Sequence, residues 1–417
     1  MMMSFTCLLA AGIAAAPLPQ VEEFKTAAGL DVVLVRIPDA PTTALHVFVR
    51  TGASQDPWMK NGLAHLLEHL VFHGTYAQKG VELQEAVDAE GAYVNAFTSP
   101  EDTTYVLRAP SGAWLGLAGN YLDTITNPAL SLSPLNIEQG VIDVESIFFS
   151  QASLFWLAEM VLFPGNRGSV PVIGTRGTRR NVTFQDITDF YAQHYVPRNT
   201  TFMVVGDAQR EQVEMLLEQH VHWPPHFEDE AAVMAAMDLN VPVSQSVPGR
   251  ITGVIFGYHT PDMDGPACEG LAALLQLRLT EVVVGAKALA SDVSAHCTSM
   301  RGRALLLASA ASASYEGHML PDLLEAAFAG AAARPATARE RGLIRRRGRS
   351  RLRRVIADPD ALAGHLSPAL RLRPGTARTQ MLGYLVKNTL PGSGTLQSAA
   401  RRAFVPSKRF LVHVTPF

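Results

Sequence analysis

The sequence predicts two related α+β domains, each a mainly antiparallel sheet packed with helices. Three observations carry this. Period-two apolar runs are followed by stretches of helical periodicity, and the order strands-then-helices occurs twice. A segment at 220–248, holding HVHWPPHFEDE and NVPVSQSVPG, gathers proline, histidine and acid with little periodicity and reads as the join. The chain has 417 residues, 47% of them hydrophobic, enough for more than one core. The boundaries expected are an N-terminal domain over 17–225, a linker over 226–248 and a C-terminal domain over 249–417.

The first domain opens with two β-rich runs, DVVLVRI and ALHVFVRTG, separated by a proline-containing turn. NGLAHLLEHLVFH, 61–73, places apolar residues at helical spacing and reads as a buried helix. VELQEAVDAEGA, 81–92, is a second helix that stops at Gly91. YVNAFTSPEDTTYVLRA gives two strands around a Ser-Pro turn. Helices are expected at 113–126 and 134–160, then over 182–195 with Thr183 as N-cap, followed by a strand at 199–208. In the second domain ITGVIFGYHTP is a strand, 266–290 an apolar helix and 303–315 a strand. Two helices follow, and RFLVHVTPF closes on a strand.

Composition narrows the function classes. Net charge is −3 with a pI near 6.5, so the overall balance points neither to nucleic acid nor to an anionic membrane surface. Residues 1–16, with the short apolar run Leu8–Ala16 ending in small residues, resemble a secretory signal, which implies a periplasmic or secreted protein, with a cytoplasmic location as the alternative. No other stretch reaches about 18 uninterrupted apolar residues, so no integral membrane segment is expected in the mature chain. Cys268 and Cys297 could pair, but no Cys-x-x-Cys occurs and a thiolate zinc site is not expected. Arg334 to Arg354 carries ten arginines in twenty-one residues. Such a run can bind nucleic acid or acidic lipid; the reading adopted is a solvated helix face with Leu343, Ile344, Leu352, Val355 and Ile356 on its inner side.

The chemistry concentrates in His65-Leu66-Leu67-Glu68-His69. Positions i and i+4 project from one helix face, so the two imidazoles can share one Zn²⁺ at about 2.0–2.1 Å each. Glu68 lies where it can take a proton from a water in the open coordination position. The competing reading is a pair of surface histidines, and Leu66, Leu67 and Leu70 argue against so exposed a face. A catalytic zinc site needs a third protein ligand. The helix at 134–160 offers Glu138, Asp143 and Glu145; Glu138 and Glu145 lie two turns apart, about 10.5 Å along the axis, so one would ligate and the other would support a histidine N–H. Spacing alone does not choose between them.

GLAHLLEHLVFHGT resembles the active-site helix of the inverzincin peptidases, the family of pitrilysin, insulin-degrading enzyme and the mitochondrial processing peptidase. NAFTSPEDTTYVL, IEQGVIDVES and FYAQHYVPRNTTFMVVGD are similar to further family segments and follow in family order across roughly 25–210. The resemblance implies one Zn²⁺ per chain held by His65, His69 and Glu145, with Glu68 as catalytic base and Glu138 as support for a ligand. It implies a peptide substrate added as a strand to the edge formed by Asn95, Ala96, Phe97 and Thr98. Family members of this length form half of a clamshell that encloses a chamber, so a partner is implied. In the C-terminal half, where the family presents an arginine and a tyrosine, this chain has Val284 and Ser291; His73 also departs from the usual lysine or asparagine. The expectation is a zinc endopeptidase whose arginine–tyrosine pair comes from a related partner subunit in a heterodimer, with a homodimer as alternative. A non-catalytic peptide-binding or scaffold subunit is the rival reading.

Overall fold

The structure is a computed structural model that describes residues 19–149, 154–164, 171–223, 238–249, 252–286, 289–290, 292–300, 303–312, 315–371, 375–387 and 393–416. In the N-terminal half the order is β1 (Gln20–Lys25), β2 (Asp31–Arg36), β3 (Thr42–Val49), α1 (Leu63–Val71), α2 (Gly80–Ala89), β4 (Tyr93–Thr98), β5 (Thr103–Pro110), α3 (Trp114–Thr126), α4 (Leu132–Phe149), α5 (Leu154–Leu162), α6 (Arg176–Arg180), α7 (Phe184–His194), β6 (Thr200–Gly206) and α8 (Arg210–His220). The C-terminal half holds β7 (Val243–Gly249), β8 (Thr252–His259), α9 (Gly265–Leu279), β9 (Asp292–Met300), β10 (Arg303–Ser312), α10 (Leu320–Ala333), α11 (Ala338–Ala357), α12 (Pro359–Leu370), α13 (Thr376–Lys387), α14 (Ser393–Ala403) and β11 (Arg409–Pro416).

The two sheets repeat one topology. The first runs β1-β2-β6-β3-β5-β4 and the second β7-β11-β8-β10-β9. Without β1, each has a parallel pair at one end, β2 with β6 and β7 with β11, and antiparallel pairing across the rest. The predicted α+β class therefore holds. The linker expected over 226–248 is shorter at its far end, because Val243–Gly249 forms strand β7 beside β11. Pro248 hid it in the sequence, and a sheet end is where proline is tolerated. Residues 226–237 of that linker and the candidate signal at 1–16 lie outside the described residues.

Strand β2 is buried through five consecutive residues, Asp31 to Val35, because both faces of its sheet are covered. Val32 and Leu34 join the core formed with Leu63, Leu67 and Leu70 of α1 and Tyr121 of α3. Val33 and Val35, with Phe48 and Met203, face Leu362, Leu366 and Leu370 of α12, an element from the other half of the chain. The exchange is reciprocal. Val254 and Phe256 of the second sheet pack on Leu271, Leu275 and Phe328 of α9 and α10, whereas Ile255, Leu307 and Val412 on its other face meet Leu154, Ala158 and Leu162 of α5.

Polar contacts pin this exchange. Arg378 of α13 is fully buried and reaches Asp31 at 2.6 Å; Asp31 also accepts from Thr201 at 2.5 Å and from Arg50 at 3.3 Å. His46 meets Asp360 at 2.9 Å, and Arg371 donates to Asp102 at 2.7 Å. Cys268 of α9 and Cys297 of β9 form a disulfide with a Cα separation of 6.0 Å.

Candidate metal centre

Helix α1 starts on a glycine. Gly62 has φ +97°, and a Cβ there would lie 2.7 Å from the Ile173 carbonyl, so only glycine fits both the turn and the close approach. The fully buried Asp56 caps the helix, its two oxygens accepting from the backbone N–H groups of Gly62 (2.7 Å) and Ala64 (2.9 Å). Leu63, Leu66, Leu67 and Leu70 anchor α1 in the core and leave its histidine face toward α4.

His65, His69 and Glu145 come together there, their ligand-capable atoms all within 4.8 Å of one another. Glu145 Oε2 lies 3.8 Å from His65 Nε2 and 3.6 Å from His69 Nε2. Ligand atoms bound tetrahedrally at zinc distances are about 3.4 Å apart, so a small inward movement would close them on one ion. Both separations are too long for hydrogen bonds, and Glu145 Oε2 and His65 Nδ1 are buried without a hydrogen-bond partner. A buried carboxylate oxygen aimed between two imidazole nitrogens is short of a cation, and the His₂Glu donor set suits zinc with an open fourth position.

The three acids of α4 separate by geometry. Glu138 accepts from both His69 Nδ1 and His73 Nε2 at 2.8 Å, which leaves the His69 Nε2 lone pair facing Glu145. Asp143 turns away, bound to Arg179 at 2.5 Å and Arg176 at 3.0 Å. His73 is the residue whose contact the sequence reading missed. The signal was present, since it continues the i, i+4 series of His65 and His69.

Glu68 is buried at 7% exposure, and its Oε2 accepts from the Thr98 hydroxyl at 2.5 Å. Burial raises its pKa and the Thr98 hydrogen bond works against the rise. Burial beside His69 brings His65 down to about 4, which keeps that imidazole neutral and able to ligate. Burial also acts to lower His69, but the Glu145 and Glu138 carboxylates outweigh it and the net shift is upward. Glu145 is lowered chiefly by His69.

Thr98 ends β4, which among the described residues pairs only with β5 and so forms the sheet edge beside α1. Along it Ala96 is buried against the core while Phe97 is 57% exposed. The Asn95 side chain is folded locally, accepting from the Ala96 N–H at 2.9 Å and donating to the Tyr93 hydroxyl at 2.6 Å. In the C-terminal half Val284 packs against the core; Ser291 lies outside the described residues. Among the described residues no helix is long and apolar enough to cross a membrane.

Comparison with known proteins identifies a family and a fold. Residues 31–152 match the family model described as insulinase, peptidase family M16, and residues 181–332 match the model of that family's inactive domain. An uncharacterized zinc protease of Streptomyces coelicolor is 28% identical over 190 residues, 44% of this chain and 41% of the relative. The cytochrome b-c1 complex subunit 1 of Rattus norvegicus is 26% identical over 196 residues, 46% of this chain and 41% of the relative. The chain thus spans about half the length of the curated relatives it matches. Among solved structures, a protease from Helicobacter pylori superposes with a TM-score of 0.83 at 21% identity, covering 96% of this chain and all (100%) of that one. The periplasmic protease PqqL from Escherichia coli superposes with a TM-score of 0.72 at 20% identity, covering 96% of this chain and 48% of PqqL.

Proposed function

Because this chain belongs to the insulinase family of peptidases, peptidase family M16, we propose that it is a zinc-dependent endopeptidase acting on peptides and short unfolded polypeptides. One observation carries the proposal: the convergence of His65 Nε2 and His69 Nε2 on the unpartnered Glu145 Oε2, one residue from a buried glutamate. Named zinc proteases among the relatives support the same cation.

His65, His69 and Glu145 would hold one ion per chain. When bound, zinc supplies Lewis acidity, lowering the pKa of a water to about 7 and polarising a peptide carbonyl. Glu68 takes the proton of the attacking water and returns it to the leaving amide nitrogen. The Thr98 hydroxyl fixes the carboxylate rotamer that makes this transfer possible. Glu138 holds His69 through Nδ1, so that Nε2 remains the donor atom. The peptide lies along β4 as an added strand, bound by main-chain hydrogen bonds around Asn95, Ala96, Phe97 and Thr98. With Thr98 at the end of that edge, a strand paired to β4 passes beside Glu68.

A second chain completes the chamber in this reading. The match covers 48% of PqqL and 45% of pitrilysin, each about twice the matched length, which supports a chamber built from two such halves. Val284 stands at the arginine position inferred from the family resemblance, so we favour a related partner that provides the arginine and tyrosine, with a homodimer as the alternative. The disulfide supports an oxidising location, periplasmic or secreted. A non-catalytic role is the competing function, favoured by the likeness to a cytochrome b-c1 complex subunit.

The test is zinc content and peptidase activity of purified protein, alone and mixed with a related chain. One zinc per chain, lost in His65→Ala, with cleavage only in the mixture, is the expected result. Cleavage by the chain alone would replace the heterodimer with a homodimer or monomer. Zinc-free protein without activity in either setting would overturn the enzyme reading in favour of the non-catalytic one.

A further inference from the structure

A formal net charge of −3 conceals a strongly basic element. Helix α11 presents eleven exposed side chains, and eight of them are arginines, lying between Arg339 and Arg354; the others are Ala338, Ser350 and Ala357. At 100° per residue these arginines cover an arc of about 240°. Ile344, the buried residue of α11, points inward, with Gly348, Leu352 and Val355 half-buried beside it. Gly342 and Gly348 do not interrupt the helix, which runs through all twenty residues.

Most carboxylates near this helix are engaged elsewhere; the exception is Glu269 of α9, whose carboxyl pKa burial pushes up and Arg351 pulls down. Glu340 holds Arg278 at 2.8 Å, Asp358 caps α12 through the N–H groups of Asp360 and Ala361, and Asp360 holds His46. Arg345, Arg346, Arg349 and Arg353 make no hydrogen bond or ion pair with the described residues. A solvated surface helix gains from charges of mixed sign at i, i+4 spacing. Here like charges recur at that spacing, Arg345 with Arg349 and Arg349 with Arg353, which costs helix stability and leaves these arginines without a partner among the described residues.

We infer that α11 is a docking surface for an anionic lipid bilayer. Charge complementarity identifies a polyanion, and two further observations select the bilayer. The Cys268–Cys297 disulfide indicates an oxidising compartment, where nucleic acid is not the prevailing polyanion. The arginines also spread over a broad convex arc rather than lining a groove that would follow one backbone. The exposed side chains of α11 include no large apolar residue, so the helix lies on the headgroups by charge and does not insert. The position of α11 orients the protein. It packs on α12, which covers the face of the first sheet opposite α1, so a bilayer under α11 leaves the His65–His69–Glu145 cluster on the far side, open to soluble substrate.

The test uses the full chain and vesicles of phosphatidylcholine, alone or with about one-third phosphatidylglycerol, in a flotation assay. Each arginine near an anionic surface contributes a factor of roughly five to the partition coefficient. The variant Arg345→Gln/Arg346→Gln/Arg349→Gln/Arg353→Gln is therefore expected to bind anionic vesicles at least about tenfold more weakly, with its thermal midpoint retained. Raising salt from about 0.1 M to about 1 M shortens the Debye length from about 10 Å to about 3 Å and releases the wild type. Equal binding to neutral and anionic vesicles, undiminished binding by the folded variant, or preference for single-stranded DNA over anionic vesicles in direct competition would each overturn the inference.

Discussion

Replacing Thr98 with valine isolates the link between the edge strand and the catalytic carboxylate. Valine keeps the β-branched shape, so the pairing of β4 with β5 and the burial of Ala96 should persist. What disappears is the hydroxyl that donates to Glu68 Oε2 at 2.5 Å; the next hydroxyl, on Thr103, is 3.4 Å from that of Thr98 and does not replace it. A hydrogen bond to a charged acceptor is worth about 1.5–3 kcal/mol. If that bond is what holds the carboxylate in the rotamer that reaches the water, its loss depopulates that rotamer and kcat should fall roughly 10- to 150-fold. Because Thr98 contributes only main-chain atoms to the peptide, KM should move little. Thr98→Ser restores the donor and should recover most of kcat. The assay is steady-state cleavage of an internally quenched peptide by the zinc-loaded protein with whatever partner activity requires, alongside zinc content and the thermal midpoint of each variant. Wild-type kcat in a folded, zinc-replete Thr98→Val protein would refute the positioning role. Parallel loss of zinc and thermal midpoint would assign Thr98 to the scaffold instead.

Glu138→Ala leaves the His69 and His73 imidazoles without their shared acceptor and should weaken zinc binding about 10- to 100-fold, read by chelator competition. The double substitution Cys268→Ser/Cys297→Ser opens a loop spanning 29 residues of sequence and should cost about 3.5 kcal/mol on the chain-entropy account, measured by urea unfolding. Glu340 has its pKa lowered from 4.5 to about 2, first by its hydrogen bond to Arg278. Its stabilising contribution is therefore complete above pH 4.5 and disappears as pH falls through about 2, so the stability gap between wild type and Glu340→Gln should close over that window in acid unfolding. Arg378→Met removes a fully buried cation from Asp31; Arg50 and Thr201 remain on that carboxylate, so the loss should fall below the 3–5 kcal/mol typical of a broken buried pair, at roughly 2 kcal/mol.

What could be read from the sequence was what local spacing encodes. The i, i+4 histidines fix their own relation on one helix, and the two-turn separation of Glu138 and Glu145 limits one ion to one of them. Which acid faces the histidines depends on how α4 lies across α1, a tertiary relation that spacing does not contain; the resemblance to a known family supplied that assignment in advance. Strand β1 and helix α8 went unrecognised, the first because Gln20–Lys25 is mostly polar and sits at a sheet edge, the second because REQVEMLLEQH buries only Val213, Leu216 and Leu217. The helix expected over 134–160 is two helices: α4 ends at Phe149 and α5 begins at Leu154, apolar but for Glu159 and packed on the other sheet. Nor does Thr98 announce in sequence that its hydroxyl reaches Glu68, thirty positions away.

The mutual covering of the sheets constrains how the chain is made. When β6 leaves the ribosome at Gly206 the first sheet has all its strands, yet Val33, Val35, Phe48 and Met203 still lack the α12 residues that cover them, which end at Leu370. At about 5–20 residues per second the nascent chain carries this bare apolar face for roughly ten to thirty seconds. Over the same interval α5 waits for a sheet whose strand β11 is made only after α12. Neither half can mature on its own, so folding is expected to be a late, concerted event that relies on holding factors during synthesis. A gene split between the two halves would yield fragments that find each other or aggregate.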